Sequence, residues 1–192
     1  MALFGWFSLA VLFAAFIFQV ASYKSYKSYK IYKLTFWLSV SAVFLFYLYL
    51  VYSRYLGWST GGGVSKFLVP PYNGISYVFG YELFRFLMYY LVALVAALAF
   101  LVSARRLNRR FKEKFFENQE PYLGALSIFL LGYPGWGYAW IYYVVAVLAL
   151  AVLGSLVVSH LLKKNERFSL YWLWLPVAIL VILIKEFLVV SS

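Results

Sequence analysis

Few side chains in this sequence are equipped for chemistry. All six acidic residues are glutamates, His160 is the only histidine, and there is no cysteine. Without cysteine, disulfides, thiol nucleophiles and thiolate metal sites are excluded. His160 stands one turn before Lys163, and a metal site there would need further ligands that neither Asp nor Cys supplies. As a base it would need a placed nucleophile such as Ser155 or Ser159, yet no Gly-x-Ser-x-Gly elbow surrounds either. It reads as an interfacial histidine. Gly61 to Lys66 lacks the Gly-Lys-Ser/Thr ending of a phosphate loop and reads as a flexible loop. Glu82 and Arg85 are spaced to pair on one helical face, and Lys185 and Glu186 to snorkel near a helix end. Glu117 and Glu120 are the remaining acids that an enzyme would use. No catalytic, cofactor-binding or metal-binding residue is assigned, no cofactor is expected, and the chain reads as a non-enzyme.

The elements that would position these residues follow from composition. The chain is 66% hydrophobic and 12% charged, whereas a soluble domain is about half apolar and a quarter charged. Its net charge of +11 would suggest nucleic acid on a soluble protein. Here the basic clusters abut apolar runs, which marks loops beside anionic lipid headgroups, so no nucleic-acid partner is expected. The predicted fold is all-α, a polytopic transmembrane helical bundle forming one integral membrane domain over residues 1–192. Five full spans are expected, near 2–21, 34–53, 83–104, 136–162 and 170–190, with one short or re-entrant helix around 121–132. Tyr133-Pro134-Gly135 breaks the apolar stretch between the short helix and the span that follows it, and Pro121 suits a first helical position. Between the second and third spans, Gly57 to Gly80 reads as a loop rich in breakers.

Positive charge sets the orientation. Of the 17 Lys and Arg, thirteen fall in three clusters: Lys24 to Lys33, Arg105 to Lys114, and Lys163 to Arg167. Nothing basic precedes the first apolar run. The clusters are therefore expected inside and both termini outside, in the cytoplasmic membrane of a prokaryote. Two clusters on one side require the intervening short helix either to cross barely or to dip and return.

Three kinds of contact surface stand out. Lys24, Lys27, Lys30 and Lys33 alternate with tyrosine at a period of three, and Arg105, Arg106, Arg109 and Arg110 form a second cluster. Both are candidate contacts for anionic lipid or an acidic partner, the plainer reading of the lysine strip being a topology signal. Ala93 and Ala97, and Ala151, Ser155 and Ser159, recur every four residues, a spacing that lets helices approach closely in lipid. These faces are expected to pack together or against a partner, either other membrane subunits or a second copy. Tyr and Trp crowd the presumed outer face at Tyr52, Tyr55, Trp58, Tyr72, Tyr77, Tyr81, Tyr133, Trp136, Tyr138 and Trp140, as an interfacial belt or as a stacking platform.

Gly124-Ala-Leu-Ser-Ile-Phe-Leu-Leu-Gly132-Tyr-Pro-Gly135, then a long apolar helix, a basic loop and a final span containing Pro176, resembles the membrane core of prepilin peptidases over roughly the last 70 residues. In that family a similar stretch follows a Gly-x-Gly-Asp motif that supplies one of two catalytic aspartates. Glu120 stands about where that aspartate would fall, the glycines are missing, and the chain has no aspartate. Two acidic groups sharing a proton are what such chemistry requires. The resemblance thus implies an inactive relative near pilus or secretion machinery, with no catalytic residue carried over.

Three functions remain to be weighed. The leading one is a non-catalytic subunit or scaffold of a membrane assembly. The second is a passive channel or carrier for a neutral or apolar solute, built on the broken segment Pro121 to Gly137. The last is an enzyme using Glu117, Glu120 or His160. No charged residue lies near the middle of any expected span, which argues against proton relays and ion-coupled carriers.

Overall fold

The computed structural model describes residues 3–21, 28–61, 63–111, 116–160 and 170–191. Every regular element among them is helical: α1 (Leu3–Ala21), α2 (Ser28–Thr60), α3 (Ile75–Glu82), α4 (Met88–Arg110), α5 (Glu120–Leu130), α6 (Ala139–His160) and α7 (Trp174–Ser191). A π-helical turn, Leu83–Leu87, joins α3 to α4 without a break, and short 3-10 turns occupy Val64–Leu68, Pro134–Trp136 and Leu170–Trp172. Among the described residues, four stretches are long and apolar enough to cross a bilayer: Phe4–Ala21, Tyr29–Thr60, Ile75–Arg110 and Ala139–Val157. The remaining expected span, 170–190, corresponds to the last 3-10 turn and the 18 residues of α7.

Two helices overrun the boundaries expected for them. Lys33 and Arg54 on α2 are 21 residues apart, about 31 Å along a helix, a length comparable with a hydrocarbon core of about 30 Å. Arg85 and Arg105 bracket a similar length of the α3–α4 rod. The apolar runs near 34–53 and 83–104 correspond to these bracketed lengths. The helices themselves continue past the charges, because a helix ends at a breaker and not at a bilayer edge. On α2 the ending comes at Gly61, and Gly63 then adopts a left-handed φ of 94°. The loop expected over Gly57 to Gly80 accordingly narrows to residues 61–74, with helix on both sides.

At the centre lies α5. Its eleven residues are all buried, and α1, α2, α4, α6 and α7 each touch it. At about 16 Å it is too short to cross a bilayer alone. Pro121 sits in its first turn, as its missing N–H permits. Between helices in lipid, cohesion comes from close packing and polar contacts and not from expulsion of water. Two glycines supply the close packing. A Cβ at Gly132 would lie 2.6 Å from the Ala93 Cβ and 3.3 Å from the Tyr89 carbonyl, so α4 and the end of α5 meet almost backbone to backbone. At Gly124 a Cβ would lie 2.5 Å from the Phe100 ring and 3.0 Å from that of Trp174. Aromatic rings fill the remaining spaces: Phe129 meets Phe36 at 6.1 Å and Tyr90 at 5.5 Å, while Phe4 stacks on Phe46 at 4.3 Å.

Candidate functional site

Polar side chains gather at the two ends of α5. At its beginning, Arg105 of α4 donates through Nη2 to the hydroxyls of Tyr122 and, at 3.2 Å, of Tyr29. Its guanidinium also lies 4.8 Å from the Tyr122 ring centre. Tyr29 and Tyr122 meet edge to face at 5.3 Å. Among the described residues, Arg105 is held by two phenols, which fix its guanidinium beside the start of α5. One turn further along α4, Asn108 exchanges two hydrogen bonds with the backbone of Phe116: its amide donates to the carbonyl at 2.7 Å and its oxygen accepts from the N–H at 2.8 Å. That reciprocal pair imitates a strand ladder and closes the chain between α4 and α5. Gln119 and Glu120 are buried beside it.

On the α1 side of the same end, the Gln19 amide donates to the Tyr171 carbonyl, and the Tyr171 hydroxyl donates back to the Gln19 carbonyl at 3.4 Å. Both residues are fully enclosed, so α1 is tied to the 3-10 turn that leads into α7, where polar groups are costly to leave unmet. Midway along α5, the Tyr143 hydroxyl of α6 donates to the Trp174 carbonyl at 3.0 Å. Ser127 of α5 also reaches that carbonyl, at 3.4 Å.

The opposite end holds an ion pair. Arg54 Nε lies 2.7 Å from Glu82 Oε1, with the carboxylate almost wholly buried. Arg54 is flanked by Tyr81 and Trp58, at 5.5 and 6.0 Å from their ring centres. The pairing of Glu82 with Arg85 expected from their spacing does not form. The π-turn that begins at Leu83 shifts the helical phase, so Glu82 faces α2 while the exposed Arg85 donates to the Tyr81 hydroxyl at 2.6 Å. Near the turn after α5, Trp136 Nε1 donates to Glu186 at 2.5 Å, and Lys185 lies 4.4 Å from the Tyr142 ring centre. Those two charges are capped by aromatics of the neighbouring segment.

The residues singled out from sequence are distributed as follows. Lys30, Lys33, Arg106, Arg109 and Arg110 are exposed, whereas Arg105 is half-buried in the phenol cluster. Lys24 and Lys27 lie outside the described residues. Ala93 and Ala97 are fully buried on the side of α4 facing α5. Ala151 is half-exposed and Ser155 is exposed, its hydroxyl donating to the Val152 carbonyl at 2.8 Å. Ser159 and His160 close α6, and their side chains lie outside the described set. The crowded aromatics do not form one platform. Trp58 meets Tyr81 at 5.1 Å and Tyr77 at 6.2 Å, Tyr133 meets Trp136 at 4.9 Å, and Tyr138 meets Tyr89 at 5.6 Å.

Sequence reasoning missed Gln19, Tyr29, Asn108 and Tyr171. The one available signal was an uncharged polar residue at the end of an apolar run, as at Gln19. Among the described residues, no three His, Cys, Asp or Glu side chains come together as a metal site would require. The chain is an all-helical protein with several helices fit to lie in a membrane. Comparison with protein-family models, with curated proteins and with solved structures returns no match.

Proposed function

We propose that this chain is a non-catalytic subunit or scaffold of a membrane assembly. The observation that carries this reading is the state of α6. Of its most apolar 18 residues only 11% are buried, against 33% for the corresponding 18 in each of the other three stretches. A single stripe, Ala139, Tyr143 and Val147, holds its first half to the bundle. Beyond Val147 no described residue of α6 is buried, yet that half carries Ala151, Gly154 and Ser155. Small residues on a lipid-facing helix leave a notch that acyl chains fill less well than a second helix does. The enclosure of α5 on all sides weighs against a lumen along residues 121–132.

The test is gentle solubilisation from native membranes followed by mass spectrometry of the intact particle. The expected result is a stoichiometric foreign subunit, lost on Ser155→Leu while the chain itself stays folded. A lone chain, or a particle indifferent to Ser155→Leu, would sink the reading and direct attention to solute flux in liposomes.

The same proposal includes five full spans with the basic clusters facing the cytosol. The bias of thirteen against four basic residues supports that orientation. Arg109→Cys, exposed at the end of α4, should resist an impermeant thiol reagent on intact cells, and Ser65→Cys should react. The opposite pattern would reverse the topology.

A further inference from the structure

We infer that Asn73-Gly74 is a self-modification site, at which the folded chain converts its asparagine into isoaspartate and aspartate through a cyclic imide. Asparagine before glycine is the pairing best suited to this reaction, because no Cβ on the following residue crowds the attacking nitrogen. The sequence marks these two residues only as a turn. What the structure adds is that the fold leaves the reaction open.

Residues 71–77 are all exposed, so water and hydroxide reach the site. Among the described residues the Gly74 N–H enters no backbone hydrogen bond. It donates instead, at 3.0 Å, to Oδ1 of the Asn73 side chain. That side chain is therefore folded onto its own peptide, and Cγ, bonded to Oδ1, stands close to the nitrogen that must attack it. Rotation about the Cβ–Cγ bond, free at an exposed side chain, turns the carbonyl face toward that nitrogen. The flanks are meanwhile held. The Tyr72 and Asn73 N–H groups donate to the Val69 carbonyl at 3.1 and 3.2 Å, and the Tyr77 N–H donates to the Gly74 carbonyl at 3.0 Å. Asn108 is the opposite case, since it is buried and its carboxamide is engaged at both ends by the backbone of Phe116.

The reaction balances with water alone. The Gly74 nitrogen gives up its proton to hydroxide and bonds to Asn73 Cγ. The Cγ–Nδ2 bond breaks, and ammonia leaves with a proton from water. Water then opens the imide at one carbonyl to give aspartate, or at the other to give isoaspartate. Either product places a carboxylate in the 61–74 loop, whose only charged residue is Lys66. It lies just before the first turn of α3, where helix N–H groups favour negative charge. The isoaspartate also adds a methylene to the backbone at the joint between the loop and α3. The inference is independent of the subunit reading, because it concerns this loop and not α6.

The experiment keeps the full chain warm at neutral pH in heavy-oxygen water, in mild detergent and separately in denaturant. Samples taken over days are digested and read by electron-transfer mass spectrometry. Solvent oxygen marks conversion that occurred during the incubation, and fragmentation tells isoaspartate from aspartate. Asn73 of the native chain should convert within about tenfold of its rate in the unfolded chain, with isoaspartate predominating, because the fold offers it no protection. Asn108 should convert only after unfolding. Gly74→Ala should slow conversion at Asn73 by about tenfold or more, since a Cβ then stands beside the nitrogen. The φ of −69° at Gly74 accepts alanine without strain. A native rate at Asn73 more than about tenfold below the unfolded one would overturn the inference, because the fold would then protect the pair. Native conversion at Asn108 as fast as at Asn73, or an unslowed Gly74→Ala chain, would overturn it too. The comparison of native with unfolded wild-type chain decides the matter even if Gly74→Ala fails to fold.

Discussion

Helices α5 and α6 follow one another in the chain, are both strongly apolar, and end in opposite surroundings. Every residue of α5 is enclosed, while most of α6 faces outward. Hydrophobicity does not separate them, since in a bilayer the surroundings are as apolar as the core. The difference lies in what accompanies the apolar residues. Helix α5 carries Glu120, Tyr122, Gly124 and Ser127, with Gly132 just beyond, and these contribute hydrogen bonds or close approach that lipid cannot reciprocate. Over the exposed half of α6 the large side chains Leu148, Leu150, Val152, Leu153 and Leu156 point outward, and lipid satisfies them.

Substitutions along the two helices can sharpen or break this contrast. The largest effect is expected for Gly132→Leu, which would drive a side chain into Ala93 and the Tyr89 carbonyl. Overpacking against backbone should cost about 3 kcal/mol or more, seen as loss of the monodisperse peak in size-exclusion chromatography after mild heating. Tyr143→Phe lies on the seam between the helices. It removes the donor to the Trp174 carbonyl and should cost about 0.6 kcal/mol and at most about 1.7, as interhelical hydrogen bonds in lipid do. The smallest effect is expected for Leu148→Ala on the open face of α6, within about 0.5 kcal/mol. If Leu148→Ala destabilises the isolated chain as much as Tyr143→Phe does, α6 packs more extensively than described, and the contrast fails.

Much of the helical layout was legible in the sequence, for local reasons. Long uncharged runs bounded by Lys and Arg mark helices suited to lipid, Pro134-Gly135 marks the turn after α5, and Pro121 marks its start. Helix ends were less legible. Near Arg54 to Thr60 and Ile75 to Glu82 the apolar signal fades while helix persists, because interfacial residues support helix without advertising it by hydropathy. The π-turn at Leu83–Leu87 has no composition of its own, so the facing of Glu82 could not be read from its spacing to Arg85. The polar ties were least legible. Arg54 and Glu82 are 28 residues apart, and Gln19 and Tyr171 are 152 apart, and no local pattern encodes such a meeting. Nor could the enclosure of α5 be seen, since a continuous apolar run has no polar face by which to tell core from lipid.

The bond between Gln19 and Tyr171 has a consequence for how the protein is made. Helix α5 touches both α1 and α7, and α7 is made long after α1. Until α7 emerges from the ribosome, the buried Gln19 and the flank of α5 that receives Trp174 have no partner. A helix of about 16 Å cannot settle alone as a bilayer span. The nascent chain therefore keeps an unfinished, partly polar centre from the synthesis of α1 to that of α7, and closes it only when α7 arrives. Any factor that shields such a centre during insertion would act on this interval, before α1 and α7 meet.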